Sequence, residues 1–235
     1  MCQECGCGDT EIVSIDVHER ILSGNDRAAA HNREHFERSG VLALNVMGSP
    51  GAGKTALLEA TAAALHGRFR MAAINGDLAT DHDAERLRRA GIEAVSVSTG
   101  SACHLDAAMV HHALDDLPPS GYDILAVENV GNLVCPAVYD LGQAANVVVL
   151  SVTEGWDKPL KYPVMFMKSD LVLLTKIDLL PHLPGTKIED YEDAVARVNP
   201  MPRVIRLSAH TGEGVAQWLE WIGGLMKPEP ARARS

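Results

Sequence analysis

Short apolar runs recur along the chain at intervals that leave room for a helix between them. They lie at residues 41–47, 71–75, 94–98, 123–127, 146–152, 171–174 and 203–207. Most are apolar at nearly every position, the pattern of strands buried on both faces. Between them, residues 54–66, 81–90, 105–117 and 215–226 read as helices. Alternation of this kind predicts an α/β fold: a mostly parallel sheet of about seven strands with helices on both faces.

The two ends differ from this body. Residues 1–10 carry three cysteines and two glycines and no strand or helix pattern, so they read as a flexible, cysteine-rich metal-binding segment. Residues 11–40 read as a polar helical extension of one or two helices, stopping near Gly40. The body then spans 41–227, and the polar, proline-containing tail 228–235 is expected to fray.

Composition narrows the classes. Aromatic residues are only 4%, so the core must be mainly aliphatic. With 21 Lys and Arg against 31 Asp and Glu, the net charge is −10. An acidic surface argues against a general nucleic-acid binder, although a phosphate pocket, being local, stays open. No apolar run approaches the roughly 18 residues of a membrane span. The amino terminus lacks the apolar centre of a signal peptide. These features predict a cytoplasmic protein whose five cysteines are thiols or metal ligands rather than disulfides.

The strongest local signal is Gly48-Ser49-Pro50-Gly51-Ala52-Gly53-Lys54-Thr55, which fits G-x-x-x-x-G-K-S/T. It follows the first apolar run and opens a helix, the context this phosphate loop requires. Glycines there let backbone N–H groups curl around phosphate oxygens, and the helix terminus adds partial positive charge. The expected cradle is Gly48, Ser49, Gly51, Ala52, Gly53, Lys54, Thr55 and Ala56, with Lys54 reaching the β- and γ-phosphates and Thr55 ligating Mg²⁺.

The base reader is expected later in the chain. Thr175-Lys176-Ile177-Asp178 ends a strand and is similar to the guanine-reading N-K-x-D of GTPases, with Thr175 at the Asn position. Asp178 can accept from guanine N1–H and the 2-amino group, a pair of donors adenine lacks. The stem of Lys176 can cover the base. Ser208-Ala209 is similar to the S-A-K loop that supports it. Together they favour GTP over ATP; a loop merely capped by Asp178 is the competing reading.

Asp77 and Glu128 end the second and fourth apolar runs, on the sheet edge that carries the phosphate loop. There they can hold hydrated Mg²⁺, or serve as a helix cap and a strand-end carboxylate. We therefore place Lys54, Thr55, Asp77 and Glu128 in the catalytic set. No glutamine stands where small GTPases keep a water-orienting one, so intrinsic hydrolysis is expected to be slow.

Cys103 and His104 follow the third strand, and Cys135 follows the fourth, read as its neighbour. Two thiolates and an imidazole suit Zn²⁺ or Ni²⁺ and leave a position open. Buried cysteines acting as small apolar residues, with a capping histidine, are the alternative. Cys2-Gln3-Glu4-Cys5-Gly6-Cys7 is more specific. A C-x-x-C-x-C at a polar terminus has no packing rationale. If Met1 is removed, the Cys2 amine and thiolate can chelate together, suiting square-planar Ni²⁺. A redox C-x-x-C would normally open a helix beside a strand. His111 and His112 read as solvated helix residues.

Taken together, these motifs resemble the HypB family, nickel-insertion GTPases of nickel–iron hydrogenase maturation. The resemblance covers nearly the whole chain. It rests on Cys2, Cys5, Gly6 and Cys7, the phosphate loop, Asn75-Gly76-Asp77, the stretch from Glu128-Asn129-Val130-Gly131 to Cys135-Pro136, and Thr153-Glu154-Gly155-Trp156-Asp157-Lys158-Pro159-Leu160-Lys161-Tyr162-Pro163. It implies a P-loop GTPase that forms a homodimer around nucleotide. It also implies a metal site on Cys103, His104 and Cys135, a tight nickel site on Cys2, Cys5 and Cys7, and delivery to a hydrogenase large subunit with other maturation factors. The chain has the terminal cysteines and no histidine-rich storage tract. Thr175 and Trp156 depart from the family pattern, Trp156 in a segment the family places near its dimer interface. Two other readings stay open: a P-loop ATPase or small-molecule kinase with structural zinc, and a nickel or cobalamin chaperone GTPase for another client enzyme.

Overall fold

A computed structural model describes residues 10–65, 67–77, 81–100, 103–118 and 121–226. Cys2, Cys5, Cys7 and the tail 228–235 lie outside the described residues. Seven strands form one sheet: β1 (Leu42–Met47), β2 (Met71–Asp77), β3 (Glu93–Ser98), β4 (Ile124–Glu128), β5 (Ala145–Ser151), β6 (Leu171–Thr175) and β7 (Arg203–Arg206). Every pairing is parallel, in the order β3-β2-β4-β1-β5-β6-β7. β1, β4 and β6 are buried at every position, while the edge strands β3 and β7 are partly exposed. This is the expected division between strands covered on both faces and strands at the rim.

The helices are α1 (Thr10–Ser39), α2 (Lys54–Leu65), α3 (His82–Arg89), α4 (Ala107–Leu114), α5 (Lys158–Lys161), α6 (Pro163–Met167), α7 (Ile188–Val198) and α8 (Val215–Leu225). One face of the sheet carries α2, α3 and α8. Leu44 and Val46 of β1 and Val147 and Val149 of β5 pack there with Leu57, Leu58, Leu87, Trp218 and Ile222. The pleat sends alternate residues to the other face. There Ala43, Ile74, Leu125 and Val127 meet Phe36 of α1 and Val110 and Ala113 of α4. Val148, Leu150, Val172 and Leu174 meet Phe166, Tyr191 and Val195 of α6 and α7.

The polar extension is one continuous helix rather than two. The spacing pattern also passed over α7, whose Ile188, Tyr191, Ala194 and Val195 repeat at helical spacing on its buried side. A further correction concerns strand order. β3 is not the neighbour of β4, because β2 lies between them. The loops after β3 and β4 therefore meet by reaching across the end of β2.

The largest fully buried side chain is Trp218. Its Nε1–H donates to Thr61 Oγ1 of α2 at 2.8 Å, which clamps α8 to the helix behind the phosphate loop. Trp218→Ala should lower stability by about 3–5 kcal/mol, the usual cost of emptying a tryptophan site in a core. Urea unfolding followed by circular dichroism checks it; a loss under about 1 kcal/mol would mean that α8 does not stabilise the sheet.

Candidate functional site

The phosphate loop connects β1 to α2 at the carboxyl edge of the sheet, at the centre of the strand order. Lys54 is buried, and its ammonium donates to the carbonyls of Gly48 and Ser49, both at 3.3 Å. Burial lowers its pKa, against the opposing pull of Glu128, Asp83 and Glu154. Its charge thus sits directly over the loop. The Ser49 hydroxyl donates to Glu154, whose other oxygen accepts from Ser151 N at 3.0 Å. Sequence reasoning quoted Glu154 only within a family segment; nothing local pointed it toward the loop.

Thr55 Oγ1 donates to Glu128 Oε1 at 2.8 Å. The second oxygen, Glu128 Oε2, is buried and makes no hydrogen bond. Asn75 lies opposite Glu128 in register, and its Oδ1 is likewise buried without a partner. An orphaned carboxylate oxygen beside a threonine hydroxyl is the donor set a hydrated Mg²⁺ takes. Asp77, at the end of β2, is half-buried on the same edge. Burial raises the pKa of Glu128, with the Thr55 hydrogen bond and the Lys54 charge opposing.

At the other side of the loop, Asp178 accepts from the Ser208 hydroxyl at 2.6 Å, which fixes one carboxylate oxygen. Lys176 has a left-handed backbone, φ +60°, and its ammonium reaches the Gly51 carbonyl at 2.7 Å. Thr175 has a clear task here: its hydroxyl donates to the Ala52 carbonyl at 2.7 Å, tying the base-reading strand to the phosphate loop.

Cys103, His104 and Cys135 come together as the sequence suggested. One ligand atom from each lies within 4.8 Å of the others, and all three residues are half-buried. The Sγ atoms of Cys103 and Cys135 are 2.7 Å apart, with Cys103 as donor. That hydrogen bond and burial push the Cys135 thiol up. Burial lowers the pKa of His104, with Asp106 opposing. This favours neutral imidazole, the form that ligates metals. Tyr139, which sequence reasoning missed, stacks on the His104 ring at 3.8 Å and 15°. No other group of three such side chains gathers among the described residues. His111 is not simply solvated: its ring meets that of His31 at 4.9 Å, and its Nδ1 is buried.

The loop from Glu128 to Cys135 joins the two regions. A Cβ at Gly131 would come within 2.9 Å of the Pro50 ring and nitrogen, so only glycine lets this loop press on the phosphate loop. Gly48 and Asn132 pair as an isolated antiparallel bridge. Asn129 ties the same loop inward. Its Nδ2 donates to Asn45 Oδ1 at 3.1 Å, and its Oδ1 accepts from Leu105 N at 3.0 Å, one residue past His104.

A parallel sheet with a phosphate loop after its central strand defines a P-loop nucleotide-binding protein. Residues 42–206 match the family described as CobW/HypB/UreG, nucleotide-binding domain, and the chain belongs to that family. The hydrogenase maturation factor HypB of Rhizobium leguminosarum bv. viciae is 53% identical over 208 residues, covering 88% of this chain and 69% of that protein. The crystal structure of the hydrogenase maturation factor HypB from Archaeoglobus fulgidus matches with a TM-score of 0.81 and 39% identity, over 88% of this chain and all of that one. The crystal structure of HypB from Helicobacter pylori in complex with nickel matches with a TM-score of 0.81 and 38% identity, over 86% of this chain and 94% of that one. No helix among the described residues is long and apolar enough to cross a membrane.

The raised pKa of Glu128 has a consequence for stability. Its carboxyl ionises at higher pH in the folded protein than in the unfolded chain. Ionisation of the unfolded state therefore erodes stability as pH rises above the ordinary glutamate range, and costs nothing below it. Glu128→Gln should raise the melting temperature of nucleotide-free protein at neutral pH, with the gain fading near about pH 4. Melting curves across pH check this; a lower melting temperature at neutral pH would show that the carboxylate is well satisfied in the folded state.

Proposed function

We propose that this chain is a GTP-hydrolysing metallochaperone that binds nickel, and zinc, and delivers nickel to the large subunit of a nickel–iron hydrogenase. It works in the cytoplasm, as a GTP-dependent homodimer, with other maturation factors. Its likeness to hydrogenase maturation factors supports the client, and the nickel complex of the Helicobacter pylori relative supports the cargo. Exposed Val134 and Val138 flank Cys135, and exposed Trp156 and Val164 follow β5, apolar surface of the kind a dimer covers.

In this reading, backbone N–H groups from Gly48 to Ala56 cradle the phosphates. Lys54 places its charge where negative charge develops on the transferring phosphoryl group. Thr55, Asp77 and Glu128 would hold Mg²⁺, which supplies charge neutralisation at the phosphates. Asp178, steadied by Ser208, reads guanine, with Ala209 beside Ser208 supporting the base and Lys176 covering it. No glutamine orients the attacking water, so turnover is slow. Cys103, His104 and Cys135 hold the cargo ion, and Cys2, Cys5 and Cys7 form a separate, tighter nickel site.

The observation that carries this reading is the short loop from Glu128 to Cys135, pressed on Pro50 by Gly131. One backbone segment thus links the γ-phosphate side of the cradle to a metal ligand. In this reading a nucleotide-dependent shift of Glu128 is passed along the loop to Cys135, and whatever factor nucleotide applies to metal affinity, metal applies to nucleotide affinity. Such couplings are typically about 1–3 kcal/mol. The deciding experiment measures nickel and zinc affinity in GDP and in a non-hydrolysable GTP analogue, using chain in which Cys2, Cys5 and Cys7 are replaced by Ser. A difference of about 5- to 150-fold is expected. Equal affinities and unchanged dimerisation would sink the coupling.

Base specificity gives a second expected outcome. Asp178→Asn should weaken GTP binding and shift preference toward xanthine nucleotides, because the new amide donates where the carboxylate could only accept. Competition among GTP, ATP and XTP checks it. If the variant binds GTP as the parent does, guanine is read elsewhere.

A further inference from the structure

We propose that Asn25 and Asn32, two buried asparagines of α1, are positioning residues for the Cys103–His104–Cys135 metal site. The proposal rests on the reading that this trio binds metal. The side chains lie far from the ligands in sequence, yet they grip both loops that carry them. Asn25 Oδ1 accepts from Ala107 N at 2.9 Å, and its Nδ2 donates to the Asp140 carbonyl at 2.8 Å. Asn32 Nδ2 donates to the Ala107 carbonyl at 2.8 Å and to the Leu141 carbonyl at 3.1 Å. Ala107 stands three residues after His104, and Asp140 five after Cys135. Each asparagine therefore bridges the His104 loop to the Cys135 loop.

Other contacts make this a rigid clamp. Arg33 donates to both oxygens of Asp140, at 3.0 and 2.7 Å. Gly142 has φ +87°, and a Cβ there would come within 2.8 Å of Arg33 N and Asn32 Cβ, so the helix backbone lies directly on this loop. Inside the clamp, Tyr139 stacks on His104 and Asn129 holds Leu105 N. Ala107 opens α4, where backbone N–H groups have no partner within the helix. Asn25 supplies one, which fixes the start of α4 relative to the 140–142 loop. Asn32 Oδ1 has no partner although the residue is fully buried, so stability alone is a poor reason for an amide at that position. A directional donor that spans two loops is a better one. Ligand atoms on separate loops bind one ion well only when outer contacts hold the loops at the right separation.

The test uses the full chain with Cys2, Cys5 and Cys7 replaced by Ser, titrated with Co²⁺ and Zn²⁺. Co²⁺ absorption reports the thiolate ligands and their geometry. Asn25→Ala and Asn32→Ala should each weaken metal binding by about 10- to 100-fold, the usual effect of losing an outer contact. They should also alter the Co²⁺ spectrum while leaving guanine-nucleotide affinity within about twofold. Asn25→Asp keeps the acceptor for Ala107 N but sets a carboxylate oxygen against the Asp140 carbonyl, so it should weaken metal binding at least as much as Asn25→Ala. Asn25→Gln keeps both the acceptor and the donor on a longer stem, should fall between parent and Asn25→Ala, and decides the matter if the alanine variant does not fold. Phe36→Leu softens the same helix interface, packed with Leu105 and Leu141, without removing any side-chain hydrogen bond to either loop, and should leave metal affinity within about threefold of the parent, below the loss expected of the asparagine variants. If Phe36→Leu weakens metal binding as much, or if both asparagine variants bind as the parent does while Cys103→Ala abolishes binding, the positioning role is overturned. If Cys103→Ala and Cys135→Ala leave binding intact, the metal site itself fails and this proposal fails with it.

Discussion

The close approach of Gly131 to Pro50 is the constraint on which the working parts depend. It brings the loop after β4 against the phosphate loop after β1, its neighbour in the sheet. Glu128 at the start of that loop meets Thr55, and Cys135 at its end meets Cys103. A side chain at position 131 would force the two loops apart and separate the nucleotide edge from the cysteine–histidine cluster. The same backbone segment therefore positions both Glu128 and Cys135.

Behind these loops runs a line of amides, buried at Asn45 and Asn129 and half-buried at Gln143 and Asn146. Gln143 donates to Asn146, Asn45 donates to Asn146, Asn129 donates to Asn45, and Leu105 N donates to Asn129. The line crosses β5, β1 and β4 and ends beside His104. Buried amides are costly unless each finds partners, but satisfied networks hold geometry more tightly than apolar packing does. Here they set the depth at which the loop after β4 leaves the sheet. The α1 asparagines do the same from outside. The cluster is thus held on two sides by directional bonds while its three residues remain half-buried.

Charge distribution on the nucleotide side is equally economical. Burial lowers the pKa of Lys54, and the nearby charges of Glu128, Asp83 and Glu154 oppose that shift, so an acidic chain holds a lysine ammonium against the phosphate loop. The carboxylates nearby are placed to receive cations or hydroxyls rather than to crowd the phosphates: Glu128 takes Thr55, Glu154 takes Ser49, and Asp178 takes Ser208. Thr175 stands at the asparagine position of the guanine-reading motif, and its hydroxyl still reaches the phosphate loop through the Ala52 carbonyl.

The sequence by itself determined the strands, their parallel arrangement, the phosphate loop and the grouping of Cys103 and His104 with Cys135. Each is encoded locally, by apolar runs, by glycine spacing before Lys54 and Thr55, or by residue types whose chemistry is narrow. Only the tertiary structure decided how these pieces bear on one another. Chain order read β3 and β4 as neighbours; the sheet places β2, buried along nearly all its length, between them. The polarity of α1 hid its docking, because the helix is held by amides as well as by apolar side chains, and amides leave no mark in a hydrophobic pattern. Asn25 and Asp140 are 115 positions apart, and Ser49 and Glu154 are 105 apart. No local period or motif records such pairs. They exist because the folded sheet brings its loop ends to one edge, and the backbone groups buried there must find partners.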